Sequence, residues 1–274
     1  MKINKITSIF FSPTGGTRKI INAITHNIDC AEKQYFDLTF PEDRDNFKHD
    51  PSYRQDELII LALPVYEEHM PSIVLDALNK IKGKGQAIAL VAVYGNINYG
   101  LALKDMQKWA FKAGFTVVAG AAFISEHSFS NDKLPLSVGR PTIIDLYHAE
   151  NFGKSLISKL DAIKDIIKYT EVKLPGRLSF LYKILPKRSV HLFVRYPKLS
   201  KRKCSKCGNC LKVCPTAAIQ ADTFKIDKDK CLHCFACVKA CGSSARRIGL
   251  KMNPIVKNKL KRQSKKTKIP KIFI

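Results

Sequence analysis

The stretch Lys5–Ile24, KITSIFFSPTGGTRKIINAI, decides the fold. Lys5–Phe11 is a largely apolar strand, Ser12–Thr17 a turn of small residues and glycines, and Ile20, Ile21, Ile24 and Ile28 recur at the spacing of one helix face. The same alternation of strand and helix continues to residue 170. Strands are predicted near Lys33–Phe40, Leu58–Leu63, Gln86–Tyr94 and Phe115–Ile124, several of them the continuous apolar runs that a parallel sheet buries on both faces. Helices are predicted over Pro71–Lys80, whose first turn tolerates the proline, over Leu101–Ala113 and over Thr142–Lys168. Five strands interleaved with helices predict a doubly wound parallel α/β sheet.

The 274 residues carry a formal charge of +24, which is unevenly spread. Residues 1–170 hold 20 basic and 19 acidic side chains, whereas 177–203 and 251–274 each hold nine Lys or Arg and no acid. The basicity therefore brackets residues 204–250. Those brackets are read as a proline-interrupted linker over 171–203, with Pro175, Pro186 and Pro197, and as a poorly ordered lysine-rich tail over 251–274. The first residues, MKINKITSIFFSPTGG, lack the apolar core of a signal peptide, and no run approaches the ~18 apolar residues of a membrane span. The cytoplasm is the expected location.

Eight of the nine cysteines lie between residues 204 and 241, a crowding that points to metal ligation rather than disulfides. The segment 204–219, CSKCGNCLKVCPTAAI, matches 231–246, CLHCFACVKACGSSAR, position by position, so the module is an internal duplication. Each copy is a C-x2-C-x2-C-x3-C run, the spacing of bacterial ferredoxins, in which three cysteines wrap one cubane and the fourth reaches the other. The predicted ligand sets are Cys204, Cys207, Cys210 and Cys241 for one [4Fe–4S] cluster, and Cys231, Cys234, Cys237 and Cys214 for the second. Structural zinc needs only two C-x2-C pairs and leaves the third step of each run unexplained. Gly242 stands where a proline is expected after the last ligand. Cys30 is read as an apolar filler.

The turn Ser12-Pro13-Thr14-Gly15-Gly16-Thr17 joins the first strand to the first helix, where backbone N–H groups, hydroxyls and a positive helix end make a phosphate cradle. It lacks the lysine of a triphosphate loop and the spacing of a dinucleotide fingerprint, so a single terminal phosphate is the expected ligand. The turn resembles the FMN phosphate loop of flavodoxins. Pro64-Val65-Tyr66 after the third strand, and Gly95, Asn96, Asn98 and Tyr99 after the fourth, resemble the two loops that flank a flavin ring. That resemblance implies a sheet of order 2-1-3-4-5 with ligand at its switch point. Glu126 and His127, after the fifth strand, are read either as contacts of the flavin rim or the cysteine module, or as a satisfied surface pair.

Residues 1 to about 250 resemble, in order of motifs, the flavodoxin–ferredoxin fusion proteins of anaerobic bacteria and archaea. What the resemblance implies is an FMN domain over 1–170 and a two-cluster α+β ferredoxin domain over 204–250, together an electron carrier. Its expected partners are redox proteins with acidic docking surfaces. Nucleic acid is not expected, and the mixed apolar and basic stretch 178–196 allows contact with an anionic membrane. The alternative is a flavin and iron–sulfur reductase acting on a small acceptor. No catalytic residue is assigned, since His26, His49, His69, His148, His191 and His233 are scattered.

Overall fold

In the computed structural model, residues 1–51, 54–166, 169–185 and 189–274 are described. The opening stretch forms β1 (Lys5–Phe10) and α1 (Gly16–His26). There follow β2 (Glu32–Asp37), α2 (Pro41–Asn46), β3 (Glu57–Pro64), α3 (Leu75–Leu78), β4 (Ala87–Tyr94), α4 (Ala102–Lys112), β5 (Thr116–Ile124) and α5 (Ile143–Ala162). The expected helix over Pro71–Lys80 divides into a 3-10 turn, Ser72–Val74, and the single turn of α3. The expected end of the last helix, Lys168, lies outside the described residues; α5 starts in a capping box between Thr142 and Asp145 and stops six residues before it.

Strands β2, β1, β3, β4 and β5 lie side by side and parallel, giving the order 2-1-3-4-5. Every residue of β1 and β4 is buried, because α1 and α5 cover one face of the sheet and α3 and α4 the other. Phe123 and Phe152 meet edge-on in the first layer; Met106 and Trp109 fill the second. Two apolar layers of this kind supply the main driving force for the fold, at about 25 cal/mol per Å² removed from water. Cys30 packs, half-buried, beside the α1–α5 layer, and burial raises its thiol pKa.

The sheet has six strands rather than five. β8 (Lys271–Phe273) pairs antiparallel with β5 through Gly120, Ala121 and Ala122. It comes from the segment expected to be a poorly ordered tail, which instead folds as α10 (Pro254–Ser264) and this edge strand. The physical reason is that β5 would otherwise expose unpaired backbone, and a lysine-bearing edge strand covers it without inviting further pairing.

The expected linker is also structured where it is described; Pro186 lies outside the described residues. Val172 N donates to Val117 O, Leu174 is buried over Gly120, and α6 (Phe180–Ile184) and α7 (Val190–Phe193) follow. β6 (Val194–Leu199) then pairs antiparallel with β7 (Arg246–Leu250) and encloses the cysteine runs with their single-turn helices α8 (Asn209–Lys212) and α9 (Ala236–Lys239). The cysteine module thus begins before residue 204, and the prolines only punctuate it.

Candidate cofactor cleft and metal centres

The carboxyl ends of β1, β3, β4 and β5 converge on an open cleft, the place where doubly wound sheets take ligands. Of the sequence-predicted residues, Ser12, Pro13, Thr14, Gly16, Thr17, Pro64, Val65, Tyr66 and Gly95 line it. Gly15 stands just behind, in the left-handed region at φ +83°, and turns the chain into α1. Gly15, the N-cap, has no side chain to cap the helix, and the N–H groups of Gly16 and Thr17 find no acceptor among the described residues. Ser12 Oγ accepts from Arg18 N at 3.0 Å, which fixes the turn. The result is a small anion cradle of free N–H groups and hydroxyls. A Cβ on Gly16 would come within 2.1 Å of Ser125 Oγ, so the close approach of this turn to β5 requires glycine there.

Asn96, Asn98 and Tyr99 lie outside the lining of the cleft. Asn96 is buried with φ +62°, and its side chain donates to Ser264 O at 2.9 Å and Lys266 O at 3.1 Å. Lys268 Nζ returns the contact, donating to Asn96 O at 2.6 Å and Ile97 O at 3.0 Å. The C-terminal segment therefore grips the 95–99 loop. Tyr99 turns instead onto Tyr94, ring centres 5.7 Å apart, and Tyr94 takes its place in the cleft. Nothing in the local sequence marked this exchange, because it is imposed by residues 165 or more positions away.

Residues Ser125–Ser128 complete the lining. The His127 ring packs on Gly95, where a Cβ would sit 2.4 Å from it. Phe129 N donates to His127 Nδ1 at 3.1 Å, which leaves the proton of the neutral ring on Nε2. Burial, reinforced by Lys239, lowers the His127 pKa to about 4. The remaining histidines serve elsewhere: His69 Nδ1 is 2.7 Å from Asp105, and His49 Nε2 is 3.0 Å from the buried Glu57.

In the cysteine module the duplication is visible in the backbone. Lys206, Gly208 and Ala217 have φ of +57°, +76° and +49°; their counterparts His233, Phe235 and Ser244 have +54°, +57° and +51°. Left-handed residues at matching points turn successive amides toward the sulfurs. Ala218 N donates to Cys214 Sγ at 3.3 Å. The Asn209 amide, then Ser205, lowers the Cys207 pKa, and amides of residues 243–246 outweigh burial to lower that of Cys241. Burial raises Cys234 and Cys237 to about 12, with the neighbouring cysteines adding to it. Such thiols ionise only against the positive charge of a metal.

Cys210, Cys214 and Cys237 pack in one small apolar cluster, so the two cysteine runs meet there. Among the described residues no three His, Cys, Asp or Glu side chains meet as ligands of one ion; a cubane instead offers each thiolate its own iron. Gly242 is exposed with open space around it, whereas Pro215, its counterpart, is buried and its carbonyl accepts from Arg44 Nη2 at 2.7 Å.

The cleft and the module are in contact. Tyr66 lines the cleft, and its hydroxyl pKa is raised well above the usual value by burial and then by Cys234. Leu232 packs in the same apolar layer as Val65 and Tyr66. Lys239 Nζ reaches Glu126 Oε1 at 2.5 Å, and Phe129 meets Phe235 edge-on at 5.5 Å. The Tyr66 loop is itself held from the other side: Ser179 N donates to Glu68 Oε2 and Val190 N to Glu67 Oε1, each at 2.6 Å.

The family of 4Fe-4S dicluster domains matches residues 196–258, which spans β6 through β7 into α10. Among solved structures, a flavodoxin from the domain Archaea is similar at 16% identity and TM-score 0.40, over 57% of this chain and 99% of that one. Flavodoxin 2 from Bacillus cereus is similar at 14% and 0.40, over 57% and 99%. Rubredoxin oxygen:oxidoreductase from Desulfovibrio gigas is similar at 14% and 0.37, over 59% of this chain and 38% of its own. No curated protein matches the chain. The match to 4Fe-4S dicluster domains, behind a sheet of order 2-1-3-4-5, supports a redox role. The parallel sheet comes first in the chain, and the segment that matches 4Fe-4S dicluster domains follows it. No helix among the described residues is long and apolar enough to cross a membrane.

Proposed function

We propose that the chain is a single-chain electron carrier that holds FMN in the cleft and two [4Fe–4S] clusters in the module, and passes electrons to or from redox partner proteins in the cytoplasm. The observation that supports this reading is that the cysteine module borders the cleft: Leu232 packs in the apolar layer of Val65 and Tyr66, and Lys239 pairs with Glu126 on the rim. Bound there, FMN exchanges one or two electrons and each cubane exchanges one, so their pairing converts between the two kinds of traffic.

In this reading the Gly16 and Thr17 amides and the hydroxyls of Ser12, Thr14 and Thr17 hold the phosphate. Val65, Tyr66 and Tyr94 would border the ring, and Gly95 lets the His127 ring pack against the same wall of the cleft. The His127 Nε2 proton is available as a fixed donor, because Nδ1 is already an acceptor. Cys204, Cys207, Cys210 and Cys241 hold one cluster; Cys231, Cys234, Cys237 and Cys214 hold the second.

The competing reading is a reductase that accepts a small molecule at the FMN. Anaerobic steady-state assays with quinones, nitro compounds and protein acceptors separate the two. A carrier reduces cytochromes and dyes without saturating turnover of any small acceptor; a saturable, specific small-molecule rate would replace this reading with the second.

A further inference from the structure

The two ligand sets differ in where they face. The set of Cys231, Cys234, Cys237 and Cys214 is the one tied to the sheet: Leu232 packs in the apolar layer of Val65 and Tyr66, Lys239 between Cys237 and Cys241 pairs with Glu126, and Arg44 binds the Pro215 carbonyl after Cys214. Residues 201–212, which carry the first three cysteines of the other set, make no hydrogen bond or ion pair with residues 1–170 among the described residues. Of that set Cys207 is exposed and Cys210 buried, while the other set has no exposed member: Cys234 and Cys237 are buried, Cys214 and Cys231 half-buried.

Flanking that exposed ligand in the chain are Lys201, Arg202, Lys203, Lys206 and Lys212, all exposed and none with a carboxylate partner among the described residues. No Asp or Glu occurs between residues 172 and 221, so nothing in the local chain offsets them. Unpaired like charges crowded into one short segment raise a positive potential that steers and orients an oppositely charged partner. The patch has no wedge for a bilayer, since no large apolar side chain between residues 193 and 254 is exposed. It also lacks an exposed aromatic on which a base could stack: Tyr196 is taken up by His233, ring centres 4.2 Å apart.

We infer that Lys201, Arg202, Lys203, Lys206 and Lys212 form the docking site for an acidic redox protein, which meets the chain at Cys207. This rests on the electron-carrier reading and adds to it a polarity. The Cys231–Cys237 set faces the cleft, and the Cys204–Cys210 set faces the partner.

The test uses the full chain carrying its cofactors and a small acidic [2Fe–2S] ferredoxin as probe, with binding followed by calorimetry at two salt concentrations. Lys203→Glu with Lys206→Glu is compared with Lys259→Glu and Arg262→Glu in α10, which changes the charge equally elsewhere. The first pair is expected to weaken binding by roughly ten-fold or more and to flatten its salt dependence, the second by less than about two-fold. Carbodiimide cross-linking of the unaltered chain to the same probe is expected to map to residues 201–212. Equal losses from both pairs, or cross-links concentrated in 257–271, overturn the site. Tighter binding of anionic vesicles or duplex DNA than of the acidic protein, abolished by the Lys203 and Lys206 changes, overturns the choice of partner. Iron and FMN contents are measured on the same samples. A loaded protein that docks elsewhere refutes the site alone, whereas a chain that takes up neither cofactor refutes the carrier reading beneath it.

Discussion

Glu126, on the rim of the cleft, receives the ammonium of Lys239, from the cysteine module, at 2.5 Å. Both side chains keep more than a quarter of their surface in solvent, so the pair orients the module more than it stabilises it. Glu126→Gln is expected to cost only about 0.5 kcal/mol of stability. A double-mutant cycle with Lys239→Met, read by denaturant unfolding of the metal-free chain, measures the coupling; a value above about 2 kcal/mol would make the pair a structural anchor.

Gly16→Ala places a methyl carbon where Ser125 Oγ lies 2.1 Å away, and one of the two must move. FMN affinity is expected to fall at least about ten-fold, equivalent to roughly 1.4 kcal/mol. Ser125→Gly in the same chain removes the obstacle and is expected to restore most of it. Fluorescence titration with FMN reads both variants. Unchanged affinity in Gly16→Ala would mean that the phosphate lies elsewhere.

His127 gives the cleft a pH signature. Its folded-state pKa of about 4 lies below the ordinary histidine value, with burial the main cause and Lys239 the second. The unfolded chain therefore binds more protons between pH 6.5 and 4, and this group's contribution is complete above that window and lost as pH falls through it. The loss is at most about 3 kcal/mol. Thermal melts of the wild type and of His127→Gln, compared between pH 7 and 4.5, isolate it, and the variant is expected to show the shallower decline.

Lys268 reaches back from the C-terminal segment to the carbonyls of Asn96 and Ile97. Lys268→Met leaves both without their charged donor and is expected to destabilise the chain by about 2 kcal/mol. It should also raise hydrogen exchange in residues 95–99 and along β5, the strand that β8 covers. Protection unchanged at both places would show that the segment rests on the sheet without holding it.

Much of this architecture was readable in advance, for physical reasons that also explain the remainder. Strands β3 and β4 declare themselves because burial on both faces leaves no polar positions to confuse the pattern. The cysteine runs are equally plain, since cluster ligation fixes both residue type and spacing. The tail failed because its signal, Lys271–Phe273, is three residues long and gains its meaning only against the bare edge of β5. Asn96 was legible as a loop residue but not as the anchor of Ser264 and Lys266, a contact between segments far apart in the chain. Tyr94 and Ser125 entered the cleft through the sheet's topology, whereas Glu126 and His127 were already candidates for its rim from their place after the fifth strand. The left-handed turns at Lys206, His233 and Phe235 carry no glycine to announce them; only the repeat itself, seen in both copies, did.

The central claim, an FMN cleft joined to a module of two clusters, is tested most directly by counting cofactors. The chain is reconstituted anaerobically with iron, sulfide and FMN, desalted, and assayed for bound metal and flavin beside its visible spectrum. The account predicts about eight irons and one FMN per chain, with Cys214→Ala and Cys241→Ala each lowering the iron toward about four. About four irons in the unaltered chain, zinc in place of iron, or no retained flavin would contradict it.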